Sequence, residues 1–489
     1  MKEDHIIQKV FIEISVNNKE KALSIKDDIT NFLSFEVFPE IEKSISALED
    51  RFAGHTLQIP KLELNLDIKN SILNTELKDK ITQIFKEELS EITDSILNSD
   101  QQTENNSEAY LVENKEKAVQ TFIYFLTTGS MPWWNSGKRN VSFLEPKVFE
   151  SLILAENFQR NIIPVFSRKN VRNRIINQLS NEQIAQLCLI ILKDKDLKIN
   201  LENNIVQLIS KLDNNKRNLV WELVLKVLSE SLSLNNDLKK YLLQQIADKN
   251  SAVSPSKETQ QVWKNVVKIF PFIKEDEVFE SIENSRNEIS ENKSVSTEKA
   301  EQKNTAIQND LNKNEEYLNQ DDLISKEEQY IQNAGLILIH PFLKTLFQHC
   351  DLFDSKNNRL LNPELCAHLL HYIATGKTNA PEYDMAFEKF LCNIPLHQTI
   401  NRHIKLTRKH KAEAKNVIES VQHNWSAMKK SSVALLQNEF FQRPGKLVIE
   451  HDYTLTVERK TQDILLEKIG WGIGFVKLPW QDQFIFINW

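Results

Sequence analysis

The sequence predicts a mainly α protein, with a small N-terminal α+β domain and a short antiparallel β sheet at the C-terminus. Three observations carry this. Apolar residues recur at helical spacing through most of the chain, as in Ile184, Leu187 and Ile191 or Val220, Leu223, Val224 and Val227. Only nine glycines occur in 489 residues, which leaves few positions for tight turns and favours helices. Two-residue alternation of apolar and polar side chains is concentrated near the two ends.

At the start, Val10, Ile12 and Ile14 alternate with Lys9, Phe11 and Glu13, and Lys61-Leu62-Glu63-Leu64-Asn65-Leu66-Asp67-Ile68 alternates more strictly still. Both read as half-buried strands. Between them Ile25, Ile29, Phe32 and Leu33 repeat at helical spacing, as do Ile41, Ile45 and Leu48 after Pro39. Leu73, Leu77, Ile81, Ile84, Phe85, Ile92 and Ile96 then mark a long amphipathic helix. Residues 1–99 therefore read as one α+β domain, and 100–116 as a polar linker poor in large apolar residues.

Residues 117–273 read as an α-helical array of short hairpins, with Asn, Asp and Ser clusters of turn length between the periodic segments. No fixed repeat length holds across it. Its first helix, through Phe122-Ile123-Tyr124-Phe125-Leu126-Thr127-Thr128, stops at Gly129, with Pro132 shortly after. Tyr372-Ile373-Ala374-Thr375-Gly376, followed by Pro381, repeats the pattern. Either an old duplication or the common chemistry of helices ending in Thr-Gly produces this.

Residues 274–328, rich in Glu, Asn, Lys and Ser, read as an acidic and polar flexible linker. The block 329–489 reads as a helical domain ending in strands, from the alternation at Leu447 and Ile449, at Tyr453, Leu455 and Val457, and at Phe484 and Phe486. It holds nine of the eleven histidines, three of the four cysteines and six of the nine glycines, so any chemistry of these residues concentrates there.

A net charge of −7 gives no electrostatic reason to expect nucleic acid or an acidic membrane surface as partner. Cys188, Cys350, Cys366 and Cys392 lie far apart with no Cys-x-x-Cys pair, which fits four free thiols in a reducing compartment. No apolar stretch of signal-peptide or membrane-spanning length is present, and the expectation is a chain that starts in the cytoplasm.

The richest cluster of chemically capable residues is His349, Cys350, Cys366, His368, His371, Cys392 and His397. Cys366-x-His368-x-x-His371 offers soft and imidazole ligands close together, but at a spacing of no common zinc module, and cysteine among leucines is ordinary core. Cys392 and His397 are poor candidates for a nucleophile pair, because the apolar setting raises the thiol pKa. Gly470-Trp471-Gly472-Ile473-Gly474 lacks phosphate-loop spacing and reads as a bend between strands, with Trp471 packed on the sheet. No catalytic residue, metal site or cofactor is expected.

The candidates for partner contact are of two kinds. Trp133, Trp134, Phe484, Phe486 and Trp489 are aromatic anchors of the type that interfaces use. Arg402, Lys405, Arg408, Lys409 and Lys411 form the one electropositive run, lacking the interleaved aromatics that base stacking requires.

Four phrases occur in order over the last part of the chain: Asn333-Ala334-Gly335-Leu336-Ile337-Leu338-Ile339-His340-Pro341-Phe342-Leu343, Leu369-Leu370-His371-Tyr372-Ile373-Ala374-Thr375-Gly376, Lys389-Phe390-Leu391-Cys392-Asn393-Ile394-Pro395-Leu396 and Phe475-Val476-Lys477-Leu478-Pro479-Trp480. Together with Ile6 to Ile14 and Leu62 to Leu66, they resemble the tape measure family of contractile injection systems, the phage-tail-like particles that drive a rigid tube out of a contracting sheath. The family phrase ends in glycine where Asp67 stands, so the turn there need not be the same. The resemblance implies a non-enzymatic structural protein that lies with the inner tube during assembly, contacts the spike or baseplate hub, and sets tube length through its own length. It implies inner-tube and spike or baseplate proteins as partners, possible self-association, and a final place inside the tube. Two other readings stand beside it: a cytoplasmic assembly chaperone of such a particle, and a metal-binding protein built on the His/Cys cluster.

Overall fold

The computed structural model describes residues 5–16, 18–52, 54–66, 73–98, 110–135, 143–193, 197–232, 237–250, 257–283, 327–450 and 452–489. The chain divides into two units, Met1–Gln120 and Thr121–Trp489.

In the first unit Asn18 accepts a hydrogen bond from the Glu20 amide at 2.8 Å and so starts the helix Lys19–Phe32. One wide π turn, Leu33–Val37, leads into the helix Phe38–Ser46. Phe32, Val37 and Ile41 from these helices bury against Phe85 and Leu89 of the long helix Thr75–Asn98. Strands β1 (His55–Gln58) and β2 (Tyr110–Glu113) pair antiparallel, with Leu57 opposite Leu111.

The strands expected at Val10–Ile14 and Lys61–Ile68 are not the ones that pair. Neither segment joins a ladder among the described residues, and 67–68 lie outside those residues. In the second segment the alternation survives as burial: Leu62, Leu64 and Leu66 are half-buried, while Lys61, Glu63 and Asn65 are exposed. Alternation encodes a two-faced segment and leaves its hydrogen-bonding neighbour unspecified.

The array in the second unit consists of short helices, among them Pro146–Ile153, Phe158–Phe166, Lys169–Gln178, Asn181–Leu192, Asn203–Ser210, Asn214–Ser231, Leu238–Asn250 and Lys257–Ile269. Their starts are set by side-chain caps, such as the Ser180–Gln183 capping box and Asp213 on the Lys216 amide. Asn181 then ties three of them together. Its Oδ1 accepts from Arg217 Nε at 2.7 Å and Trp221 Nε1 at 2.8 Å, while Arg217 also donates to the Ile176 and Leu179 carbonyls that end the helix Lys169–Gln178. A further helix at 275–283 buries Val278 and Ile282, and strand β3 (Glu327–Ile331) follows later; both lie within or at the edge of the stretch read as linker, whose residues 284–326 lie outside the described ones. Of the first linker, 100–109 lies outside them as well.

The C-terminal block wraps the central stretch. Ala334–Ile339 form a 3-10 turn with all six residues buried, running into the helix His340–His349 with Pro341 in its first turn. Gly335 is required here by close approach, because a Cβ would stand 1.6 Å from the Phe440 carbonyl oxygen. A small hairpin, β4 (Phe353–Asp354) and β5 (Arg359–Leu360), precedes the helix Pro363–Thr375. Strands β6 (Gly445–Ile449), β7 (Tyr453–Val457), β8 (Phe475–Val476) and β9 (Ile485–Asn488) complete a sheet of order β3-β6-β7-β9-β8. Leu447, Leu455 and Ile487 stand side by side on its inner face. Three pairings are antiparallel as expected; β7 and β9 run parallel, because a 3-10 segment (Thr461–Lys468) and the short β8 return the chain between them.

The array meets this block at a buried polar seam. Arg174 and Glu382, both fully buried, pair with Nε to Oε2 at 3.1 Å and Nη2 to Oε1 at 3.4 Å. Arg174 also donates to the carbonyls of Leu126 and His397, each at 2.6 Å. Lys389 donates to Glu382 Oε1 at 2.7 Å, and Thr399 to Oε2 at 3.2 Å. Gln178 accepts from the Glu382 amide and donates to the Ile400 carbonyl. Gly129, at φ +86°, lies directly on the pair: its Cβ would stand 2.5 Å from Glu382 Oε1. Tyr383 fits edge-on between Phe125 and Phe143, at 5.0 and 6.3 Å.

Glu382→Gln leaves two buried cations, Arg174 and Lys389, without their carboxylate, and Arg174→Met leaves Glu382 with Lys389 as its one buried cation. Glu382→Gln or Arg174→Met is expected to destabilise the chain by about 3–5 kcal/mol, and the double change by less than the sum, read from urea unfolding. Additive losses would show that the two charges do not act on each other.

Candidate interaction surfaces

On β9, Ile485 and Ile487 turn inward, and the alternation puts Phe486 outward. Phe475 of β8 stands opposite Phe486, and Phe484 lies 6.2 Å from Phe475. The three rings are 66, 46 and 43 % exposed for Phe475, Phe486 and Phe484 respectively, and Lys477 Nζ sits 5.0 Å from the Phe484 centroid. Three neighbouring aromatic rings left in water at one sheet edge make an apolar patch flanked by a cation, the composition of a contact surface.

Phe475, which opens the fourth phrase and is not among the predicted contact residues, is through its register against Phe486 the most exposed ring of the patch. Trp489 takes a different place. Its carbonyl accepts from Arg459 Nη2 at 2.7 Å, and its half-buried ring lies 6.0 Å from the Arg443 guanidinium against the core. Trp471 packs against the C-terminal core beside the central stretch: its Nε1 donates to the Leu338 carbonyl at 3.0 Å and its ring meets Phe342 edge-on at 5.4 Å.

Trp133 and Trp134 occupy a 3-10 turn, Trp133–Asn135, just after the Gly129 helix end. Their rings meet at 5.7 Å and 87°, and Trp134 lies 6.1 Å from Tyr124. All three are partly exposed, with the indoles packed edge to face on each other. The basic run divides. Arg402 belongs to the seam, with its Nε donating to the Asn379 carbonyl and its amide to the Asn177 carbonyl. Lys405 and Arg408 are exposed, Lys409 pairs with Asp351 at 2.6 Å, and Lys411 lies 5.6 Å from the Tyr372 ring.

The His/Cys cluster is dispersed among protein partners. His368 contacts the Asn401 carbonyl at 2.8 Å, and burial holds its pKa down at about 4. His371 Nδ1 contacts Glu388 Oε1 at 2.8 Å, an oxygen that also accepts from Asn333 at 2.7 Å. His349 is exposed beside Glu413, and His397 is exposed on a loop. Cys350, Cys366 and Cys392 are buried, with burial pushing the Cys350 thiol up to about 11 and that of Cys392 well above its usual value. Among the described residues no group of three His, Cys, Asp or Glu side chains is placed to hold a metal ion. Overnight dialysis against a chelator is therefore expected to leave Tm unchanged within about 1 °C, because each degree corresponds to roughly 1 kcal/mol in a chain of this size and a bound structural zinc contributes many times that. A fall of many degrees, reversed by zinc, would overturn that geometry.

The geometry is that of a folded chain with surface patches and a buried ionic seam. A search of curated proteins and a search of solved structures give no match. A family model does match, from residue 4 to residue 489, and its description is contractile injection system tape measure protein. The match runs through the N-terminal unit, the helical array and the C-terminal block alike. The chain belongs to the contractile injection system tape measure protein family.

Proposed function

We propose that this protein lies with the inner tube of a contractile injection particle during assembly, contacts the spike or baseplate hub, and sets tube length through its own length. The observation that carries this is the family match across residues 4–489. The physics of such a ruler is geometric. A helical chain rises about 1.5 Å per residue, so a fully helical chain of this length would measure roughly 730 Å.

On this reading the partners are inner-tube and spike or baseplate proteins, and the aromatic patch of Phe475, Phe484 and Phe486 is the contact offered to the hub. The reading calls for neither nucleic acid nor membrane as a partner, and the net charge of −7 gives no electrostatic attraction to either. The protein assembles in the cytoplasm and comes to lie inside the tube. Its role is structural and needs no catalytic group.

One observation favours a second reading, that of an assembly chaperone absent from the finished particle. The array is docked on the C-terminal block through buried charges, and a docked array spans less length than an extended one. Deleting residues 284–326 separates the two readings, because it leaves the helix at 275–283 and strand β3 intact. As a ruler, the shortened chain gives tubes shorter by about 1.5 Å per residue removed if the segment is helical, and by up to about 3.3 Å if extended, measured by electron microscopy. Full-length tubes would reject the ruler role for this segment and favour the chaperone.

A further inference from the structure

Residues 6–14 read Ile-Ile-Gln-Lys-Val-Phe-Ile-Glu-Ile and lie outside any helix or ladder, with no backbone hydrogen bond among the described residues. Six apolar side chains stand in water along this run: Ile6, Ile7, Val10, Phe11, Ile12 and Ile14, from 41 to 82 % exposed. Lys9 Nζ lies 4.7 Å from the Phe11 centroid, so those two alternate positions share one side. An unpaired alternating segment with exposed aliphatic and aromatic side chains is a template for strand addition.

The chain's other unpaired alternating segment is a poor partner. Leu62, Leu64 and Leu66 are already turned toward the core of their own unit, and Lys61 is paired with Glu63. The antiparallel register that sets Lys9 against Glu63 also places Pro60, which has no amide proton, opposite Ile12.

The run is instead complementary to itself. Set antiparallel about Phe11, Lys9 faces the partner's Glu13 and Glu13 faces the partner's Lys9; Val10 faces the partner's Ile12, and Phe11 faces the partner's Phe11. Gln8 then meets the partner's Ile14, and Ile7 meets the partner's Ser15. We propose that residues 7–15 form an antiparallel two-stranded ribbon with the same segment of a second copy of this chain. The contact is isologous, with two ion pairs and two aliphatic pairs related by one two-fold axis through Phe11. A two-stranded ribbon is marginal alone. The association is reversible and weak in dilute solution, and it strengthens wherever copies are held close together.

Sedimentation velocity of the full chain from about 1 to about 200 µM, a span that covers weak association, tests this. The expected result is a monomer–dimer equilibrium. Lys9→Glu sets like charges opposite each other at both ends of the ribbon and is expected to weaken the dimer at least about tenfold; Glu13→Lys does the same. The double charge reversal Lys9→Glu with Glu13→Lys restores the pairing and is expected to return the dimer to within about threefold of the original. These side chains are exposed, so circular dichroism and Tm should not move. A monomeric mass throughout, a dimer indifferent to Lys9→Glu, or a double reversal that stays weak would overturn the proposal. A monomer that joins only other proteins of the particle gives the first of these results.

Discussion

Arg174 and Glu382 lie 208 positions apart in the chain and meet directly, both fully buried. Burying a guanidinium and a carboxylate costs more than their attraction returns unless the remaining donors and lone pairs also find partners. Here they do. Arg174 spends its other donors on the carbonyls of Leu126 and His397, and Glu382 takes Lys389 and Thr399 in addition. Those carbonyls belong to a helix end and a loop, so one ion pair fixes the exit of one helix, the path of the 395–402 loop and the start of the turn Glu382–Met385. Burial depresses the Lys389 pKa while Glu382 opposes that fall, which leaves a carboxylate holding two cations in one site. Gly129 follows from this, since any side chain there would displace the carboxylate.

The sequence shows helices because each one's burial pattern is local. Gly129 and Gly376 both take left-handed backbone and both return an amide to the carbonyl four residues earlier, Phe125 and Tyr372, which is why their phrases look alike. Thr128 and Thr375, each just before the glycine, both donate to the carbonyl one turn back, so the two helix ends share one capping chemistry. The seam was not legible. Arg174 stands in Lys169-Asn170-Val171-Arg172-Asn173-Arg174, a run that reads as a solvated face, and only the distant Glu382 makes it buried. Strand partners were hidden for the same reason, as with the parallel β7 and β9. Of the contact candidates, Phe484 and Phe486 are exposed by the period of β9, while Trp489 and Arg402 are taken up by intramolecular bonds that no local pattern announces.

Asn333 shows how the central stretch is anchored at both levels. Its side chain donates to Glu388, whose same oxygen meets His371, so the phrase that opens the block is tied to the two helices that carry the next two phrases. Asp384, beside them, is held up at about 6 by burial, with His371 pulling the other way. Three of the phrases that stand far apart in the sequence thus meet around one buried polar cluster.

The two kinds of contact in the second unit differ in what it costs to part them. The apolar cluster from Ile331 to Ile487 is drawn from the C-terminal block itself, and opening it would return many fully buried side chains to water with nothing gained in exchange. Parting the seam rehydrates Arg174, Glu382 and Lys389, and hydration repays most of the lost attraction between them. Tyr383, edge-on to Phe125 and Phe143, would lose its aromatic contacts as well. Array and block are thus joined at this seam by paired buried charges, while the C-terminal core is held by apolar burial of its own.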